Sequence, residues 1–176
     1  MRYSNSRQLF VQTIFLLCSL LALPSHAADA LTLEQQLTNA LKVKPGTTDR
    51  LAEPDPILNA LKQQNVISKK ANSRGDYTDY YLVSKPFLFM KHEVVVVENE
   101  YMAKYVGCCV SPGMGLVLKI NGSTKPLKKF ATTNGCTFDD GPNAARDLSF
   151  VDIKTDVSRG KYATLSCRET DISRWP

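Results

Sequence analysis

Four consecutive valines, Val94 to Val97, constrain the fold of this chain more than any other feature. Neighbouring residues on a strand point to opposite faces, so a run of β-branched side chains puts apolar surface on both sides at once. The segment Glu93 to Glu98 is therefore predicted to be an interior strand of a sheet covered on both faces.

The sequence around it follows two regimes. Before residue 66 the apolar residues recur at helical spacing. Leu33, Leu37, Ala40 and Leu41 mark a helix over Leu31 to Val43, with Thr32 and Gln35 in capping-box positions and Pro45-Gly46 as its stop. A second helix is predicted from Asp55 as N-cap and Pro56 in the first turn, with Ile57, Leu58 and Leu61 as its apolar side, ending near Asn65. Thr47 to Pro54 reads as a polar linker and Ser68 to Asp79 as a loop.

From Tyr80 onward short β-prone runs are separated by turn signals. The predicted strands are Tyr80 to Val83, Phe87 to Met90, the valine strand, Tyr101 to Val110, Leu116 to Ile120, Leu148 to Ile153 and Tyr162 to Cys167. Ser111-Pro112-Gly113, Asn134-Gly135 and Ser158-Arg159-Gly160 are predicted turns, and Phe138 to Arg146 a loop. Asn121-Gly122 is the strongest hairpin signal, with Pro126 at an edge or bulge of the return strand. The expected fold class is α+β: two N-terminal helices packed on an antiparallel sheet of about five to seven strands, stapled by two disulfides. A β-sandwich with helical additions is the alternative.

The first 27 residues have the order of a secretory signal peptide: Arg2 and Arg7, an apolar run from Leu9 to Leu23, then Pro24-Ser25-His26-Ala27. Cleavage is expected between Ala27 and Ala28, leaving residues 28–176 as one exported domain. The apolar run is shorter than the roughly 20 residues that cross a bilayer as a helix. A lipid-anchored alternative would rest on Cys18, but Leu16-Leu17 precede it where small residues are wanted, and Leu20 to Leu23 continue past it. No apolar stretch of spanning length follows Ala28. The expected location is periplasmic or secreted, and the form of the signal suggests a bacterial envelope.

Losing Arg2 and Arg7 lowers the formal net charge from +5 to +3. So mild a bias lacks the dense basic stripe of a nucleic-acid-binding protein. The basic segment with Lys119, Lys125, Lys128 and Lys129 reads as a solvated strand and turn, with an acidic partner as the lesser reading.

After export four cysteines remain: Cys108, Cys109, Cys136 and Cys167. An even count in an oxidising compartment reads as two disulfides. A Cys108–Cys109 bridge is set aside because vicinal bridges strain the peptide between them. The expected pairings are 108–136 with 109–167, or 108–167 with 109–136. There is no Cys-x-x-Cys, and one histidine, His92, remains, so neither redox nor zinc chemistry is expected, and no cofactor is implied.

Catalytic patterns are sparse. Cysteine–histidine chemistry would pair His92 with a free Cys108. No Gly-x-Ser-x-Gly occurs. Carboxylates for a hydrolase would come from Glu93, Glu98 and Glu100, or from Asp139 and Asp140; the alternative for each is a solvated strand end, turn or cap. Asp139-Asp140-Gly141 lacks the alternating ligands and closing glutamate of a calcium loop. Asn121-Gly122-Ser123 fits a glycosylation sequon, relevant only to a eukaryotic secretory route. Ser158-Arg159-Gly160-Lys161-Tyr162 resembles the Ser-Gly-x-x-Tyr loop of periplasmic lysozyme inhibitors, with Arg159 splitting Ser from Gly and one residue between Gly and Tyr.

The best binding candidate is Tyr77, Tyr80 and Tyr81, interleaved with Asp76 and Asp79. Tyrosine buries area while keeping a polar handle. The expected function is a small exported, non-catalytic protein that recognises another exported or envelope protein, as an inhibitor, an immunity-type protein or an envelope accessory. The alternatives are an envelope hydrolase with an unfamiliar carboxylate or Cys–His site, and a secreted effector.

Overall fold

The structure is a computed structural model that describes residues 31–101, 111–141 and 160–172. The signal segment, Cys18, the Ala27–Ala28 junction, Cys108, Cys109, the predicted strand Leu148 to Ile153, Ser158, Arg159 and Trp175 lie outside those residues, as does nearly all of the predicted strand Tyr101 to Val110.

In chain order the elements are α1 (Leu33–Leu41), α2 (Pro54–Gln63), β1 (Ser73–Gly75), β2 (Thr78–Leu82), β3 (Leu88–Phe89), β4 (His92–Glu100), β5 (Gly113–Lys119), α3 (Lys125–Thr133), β6 (Thr137–Asp139), β7 (Tyr162–Arg168) and α4 (Glu169–Ile172). The seven strands form one antiparallel sheet in the order β1-β2-β4-β5-β7-β6, with β3 on the same edge of β4 as β2. This is the expected α+β class.

The valine strand is interior, with β2 and β3 on one edge and β5 on the other. A register shift between Val94 and Val96 marks a bulge. Val94 and Val97 enter the main core, while Val96 is fully buried beside Val117 and Tyr162 on the opposite face. The main core lies between the sheet and the helices: Leu37 and Leu41 from α1, Ile57 and Leu61 from α2, Leu127 and Phe130 from α3, against Met114, Leu116, Leu118 and Leu165.

The capping box of α1 forms as expected, with Thr32 Oγ1 accepting from Gln35 N and Gln35 Oε1 accepting from Thr32 N at 2.8 Å. Helix α2 starts earlier than predicted: Glu53 is the N-cap and Pro54 opens the first turn, leaving Asp55 inside it, where a carboxylate suits the positive end of the dipole.

Three other expectations are corrected. Asn121-Gly122 does not close a hairpin. It leads into α3, whose Leu127, Phe130 and Ala131 are buried at helical spacing, and Pro126 fits the first turn where its missing N–H is harmless. The predicted loop Ser68 to Asp79 contains the β1–β2 hairpin. The Thr47 to Pro54 linker is tied down by a Val43–Arg50 bridge and by the Arg50 side chain.

Cys136 and Cys167 are bonded to each other, across α carbons 4.3 Å apart, which overturns both expected pairings. Phe138↔Leu165 and Thr137↔Ser166 pair across β6 and β7, so the strand register itself brings the two cysteines together. This is the one disulfide among the described residues. Beside it sits Arg50. Its Nη1 donates to Leu41 O at 2.8 Å and Asn134 O at 2.7 Å, and its Nη2 to Gly135 O and Arg168 O at 3.4 Å each. One guanidinium thus gathers carbonyls from the end of α1, the end of α3 and the end of β7. Burial lowers its pKa to about 10, and Asp171 opposes that shift, so it remains a cation at neutral pH.

Candidate binding surface at the β1–β2 end of the sheet

Gly75 pairs with Thr78, so Asp76 and Tyr77 alone make the turn between β1 and β2. Both have positive φ, 44° and 62°. That is the backbone of a type I′ turn, whose twist suits a hairpin and which ordinarily takes Asn-Gly or Asp-Gly. A tyrosine there is strained, at a cost of order 1 kcal/mol or more. The strained turn is held from one side, where Tyr101 N donates to Tyr77 O at 3.0 Å.

The strain delivers Tyr77 to the surface, 41% exposed, beside the 38% exposed Tyr101. Their ring centroids are 6.4 Å apart. Arg74, from β1, lies over the Tyr101 ring at 4.0 Å, in cation–π range. Its position is fixed from below by Asp79: Nε donates to Oδ1 at 2.6 Å and Nη2 to Oδ2 at 3.1 Å. That hydrogen bond, with the carboxylate's charge behind it, raises the Arg74 pKa above its ordinary value. Tyr81 completes the set, donating its hydroxyl to Asp79 Oδ2 at 3.2 Å from within the core, and Lys62 of α2 stands over the Tyr81 ring at 4.8 Å.

The three tyrosines singled out in the sequence therefore separate. Tyr77 is presented to solvent, Tyr81 is buried beneath the site, and Tyr80 points to the other face of the sheet with Val96 and Val117. There burial, and then the charge of Glu98, raise the Tyr80 hydroxyl pKa. Arg74 and Tyr101 were not anticipated. Tyr101 reaches Tyr77 only through the β2–β4 register, in which Thr78 faces Glu100.

Behind this surface a cleft of about 1410 Å³ opens between α2, the 44–53 segment and the end of the sheet, with Asp79, Tyr81, Asn99 and Tyr101 among its lining.

Of the candidate catalytic groups, Glu100 is buried and lines this cleft, and the others are placed elsewhere and are engaged. His92 is buried, and its Nδ1 accepts from Asn121 N at 3.0 Å, which fixes the ring as a structural partner of the β5–α3 loop. Glu98 reaches Arg168 at 2.9 Å across Gly115, where an added Cβ would fall 2.5 Å from the carboxylate. A larger residue there would push the Glu98 carboxylate aside from Arg168. Glu93 lies 3.9 Å from Lys119 at the surface, Asp139 Oδ1 accepts from Gly141 N in a turn, and Asp140 pairs with Lys128 at 3.0 Å. The hydrogen bond from Lys128 holds Asp140 below the usual carboxylate range. Among the described residues no group of histidine, cysteine and carboxylate side chains is arranged to hold a metal ion, and no helix is long and apolar enough to cross a membrane.

No protein-family model, curated protein or solved structure matches this chain. The functional reading therefore rests on the residues themselves.

Proposed function

We propose that this chain is a small exported protein of the bacterial envelope that binds another protein there, as an inhibitor, an immunity-type factor or an envelope accessory. The observation that carries the reading is the Tyr77–Arg74–Tyr101 surface. Two exposed aromatic rings and a guanidinium, of the residue types that dominate binding hot spots, are held together at a hairpin turn whose backbone is strained for a tyrosine. Export is supported by the signal-like order of the first 27 residues and by the Cys136–Cys167 bridge, which suits an oxidising compartment.

The test is site-specific photo-crosslinking from position 77. A benzophenone amino acid in place of Tyr77 is expected to give one discrete adduct in an envelope extract, displaced by excess unlabelled protein but not by a Tyr101→Ala, Arg74→Ala double variant. An adduct that both proteins displace equally would overturn the assignment of this surface. The absence of any discrete adduct would overturn the binding reading itself.

A further inference from the structure

The chain carries a net positive charge, yet the cleft behind Tyr101 is acidic. Asp49, Glu53, Asp55 and Glu169 line it with no ion-pair partner within 4.0 Å among the described residues. Of the three cations that also line it, Arg50 is turned onto backbone carbonyls, Lys62 lies over the Tyr81 ring and Lys44 is exposed to solvent. Six carboxylates, with Asp79 and Glu100 included, against three cations leave the lining acidic on balance.

A second observation comes from the floor. Asn99 of β4 is 9% exposed, lines the cleft beside Asp79 and Tyr81, and its carboxamide makes no hydrogen bond to the described residues. An amide buried to that degree ordinarily has partners. Here the cavity is what it faces, so its partners come from the cavity, as solvent or as a ligand that displaces it. The walls add apolar surface from Leu58, Pro54, Pro112 and Ile172. Lysine and arginine combine an aliphatic stem with a cationic head, and this lining offers a counterpart to each part. At about 1410 Å³ the cleft exceeds the roughly 300–1,000 Å³ typical of small-molecule pockets.

We propose that the cleft seats a basic peptide segment of the protein partner, with a lysine or arginine side chain directed past the four carboxylates onto the Asn99 carboxamide. The assignment rests on the binding-module reading and names the chemistry of its partner.

The probe is a fluorescein-labelled tetralysine peptide, with tetraglutamate as its counterpart, titrated against the oxidised protein by fluorescence anisotropy at low and moderate salt. Tetralysine is expected to bind, tetraglutamate not. Affinity should fall about tenfold, or roughly 1.4 kcal/mol, in a Glu53→Gln, Asp55→Asn double variant. Both side chains are exposed and make no capping hydrogen bond, so the fold is retained. Glu93→Gln, an exposed acid on β4 outside the cleft, should leave binding unchanged. Asn99→Leu should weaken it about threefold, with circular dichroism confirming the fold. Equal losses from Glu93→Gln and from the cleft pair, or no tetralysine binding at low salt, would overturn the proposal. A Tyr77 adduct with no tetralysine binding removes the basic-segment assignment and leaves the module reading standing. Tetralysine binding through the cleft with no Tyr77 adduct leaves the cleft's preference for cations standing and removes its assignment to a protein partner.

Discussion

Arg50 and Arg74 are both held by several acceptors or rings, and they have contrasting surroundings. Arg50 is enclosed by carbonyls from three elements and lies 3.7 Å from the Cys136 sulfur. Both of its terminal nitrogens are turned onto the fold. Arg74 has a side chain 58% exposed, is locked to one carboxylate, and lays its flat face over an exposed ring. The first arrangement ties the ends of α1, α3 and β7 into one knot with the disulfide. The second holds a cation in place while leaving it accessible. Rigidity is common to both, but it serves the fold at one end of the sheet and presentation at the other. If that division is right, changes at the Arg50 knot lower stability, whereas changes at the Arg74 surface alter binding with little or even favourable effect on stability.

The largest effect is expected from removing the bridge. Cys136 and Cys167 are 31 residues apart, and the chain-entropy argument assigns such a loop about 3.5–4 kcal/mol. A Cys136→Ala, Cys167→Ala double variant should lose about that much in urea denaturation. A loss under about 1 kcal/mol would mean that the bridge constrains the unfolded chain little, and the knot would rest on Arg50 alone.

Arg50→Ala comes next, at about 3 kcal/mol, because it strips the donors from several part-buried carbonyls at once. Arg50→Lys should recover only part of this. An ammonium is a point donor and does not reproduce the planar fork that reaches Leu41 and Asn134 through one nitrogen and Gly135 and Arg168 through the other. Full rescue by lysine would show that charge near Asp171, and not the fork, is what matters there.

These two ends were unequally readable from sequence, for reasons that lie in how local each signal is. The capping box at Thr32 and Gln35 and the Leu37, Ala40, Leu41 spacing act within one helix, so α1 was plain. The valine run announces its own two-sided burial. Helix α3 was missed because Asn121-Gly122 suits a helix approach as well as a hairpin; the Leu127, Phe130, Ala131 spacing was the available signal. The cysteine pairing depends on β6 lying beside β7, a fact of topology that no spacing reveals. The exposed surface was half visible. Strand alternation alone separates Tyr80 from Tyr81, but Asp76-Tyr77 lacks the glycine that marks a tight hairpin, and Arg74 and Tyr101 join it only once the sheet has formed.

The smallest effect is the most discriminating, because it separates fold from function at a single residue. Tyr77→Gly places at φ 62° the residue that a type I′ turn prefers. Relief of backbone strain, set against the loss of an exposed ring contact with Tyr101, should raise stability by about 0.5–1 kcal/mol. Partner capture should fall at the same time. The β3–β4 hairpin provides the control. Met90 and Lys91 also have positive φ, 50° and 71°, but there Glu34 Oε1 accepts from Met90 N at 2.8 Å and anchors the turn to α1. Lys91→Gly should therefore stabilise by a similar amount without touching binding. If Tyr77→Gly instead destabilised the protein while capture was retained, Tyr77 would belong with Arg50 as a fold residue, and the contrast between the two ends of the sheet would collapse.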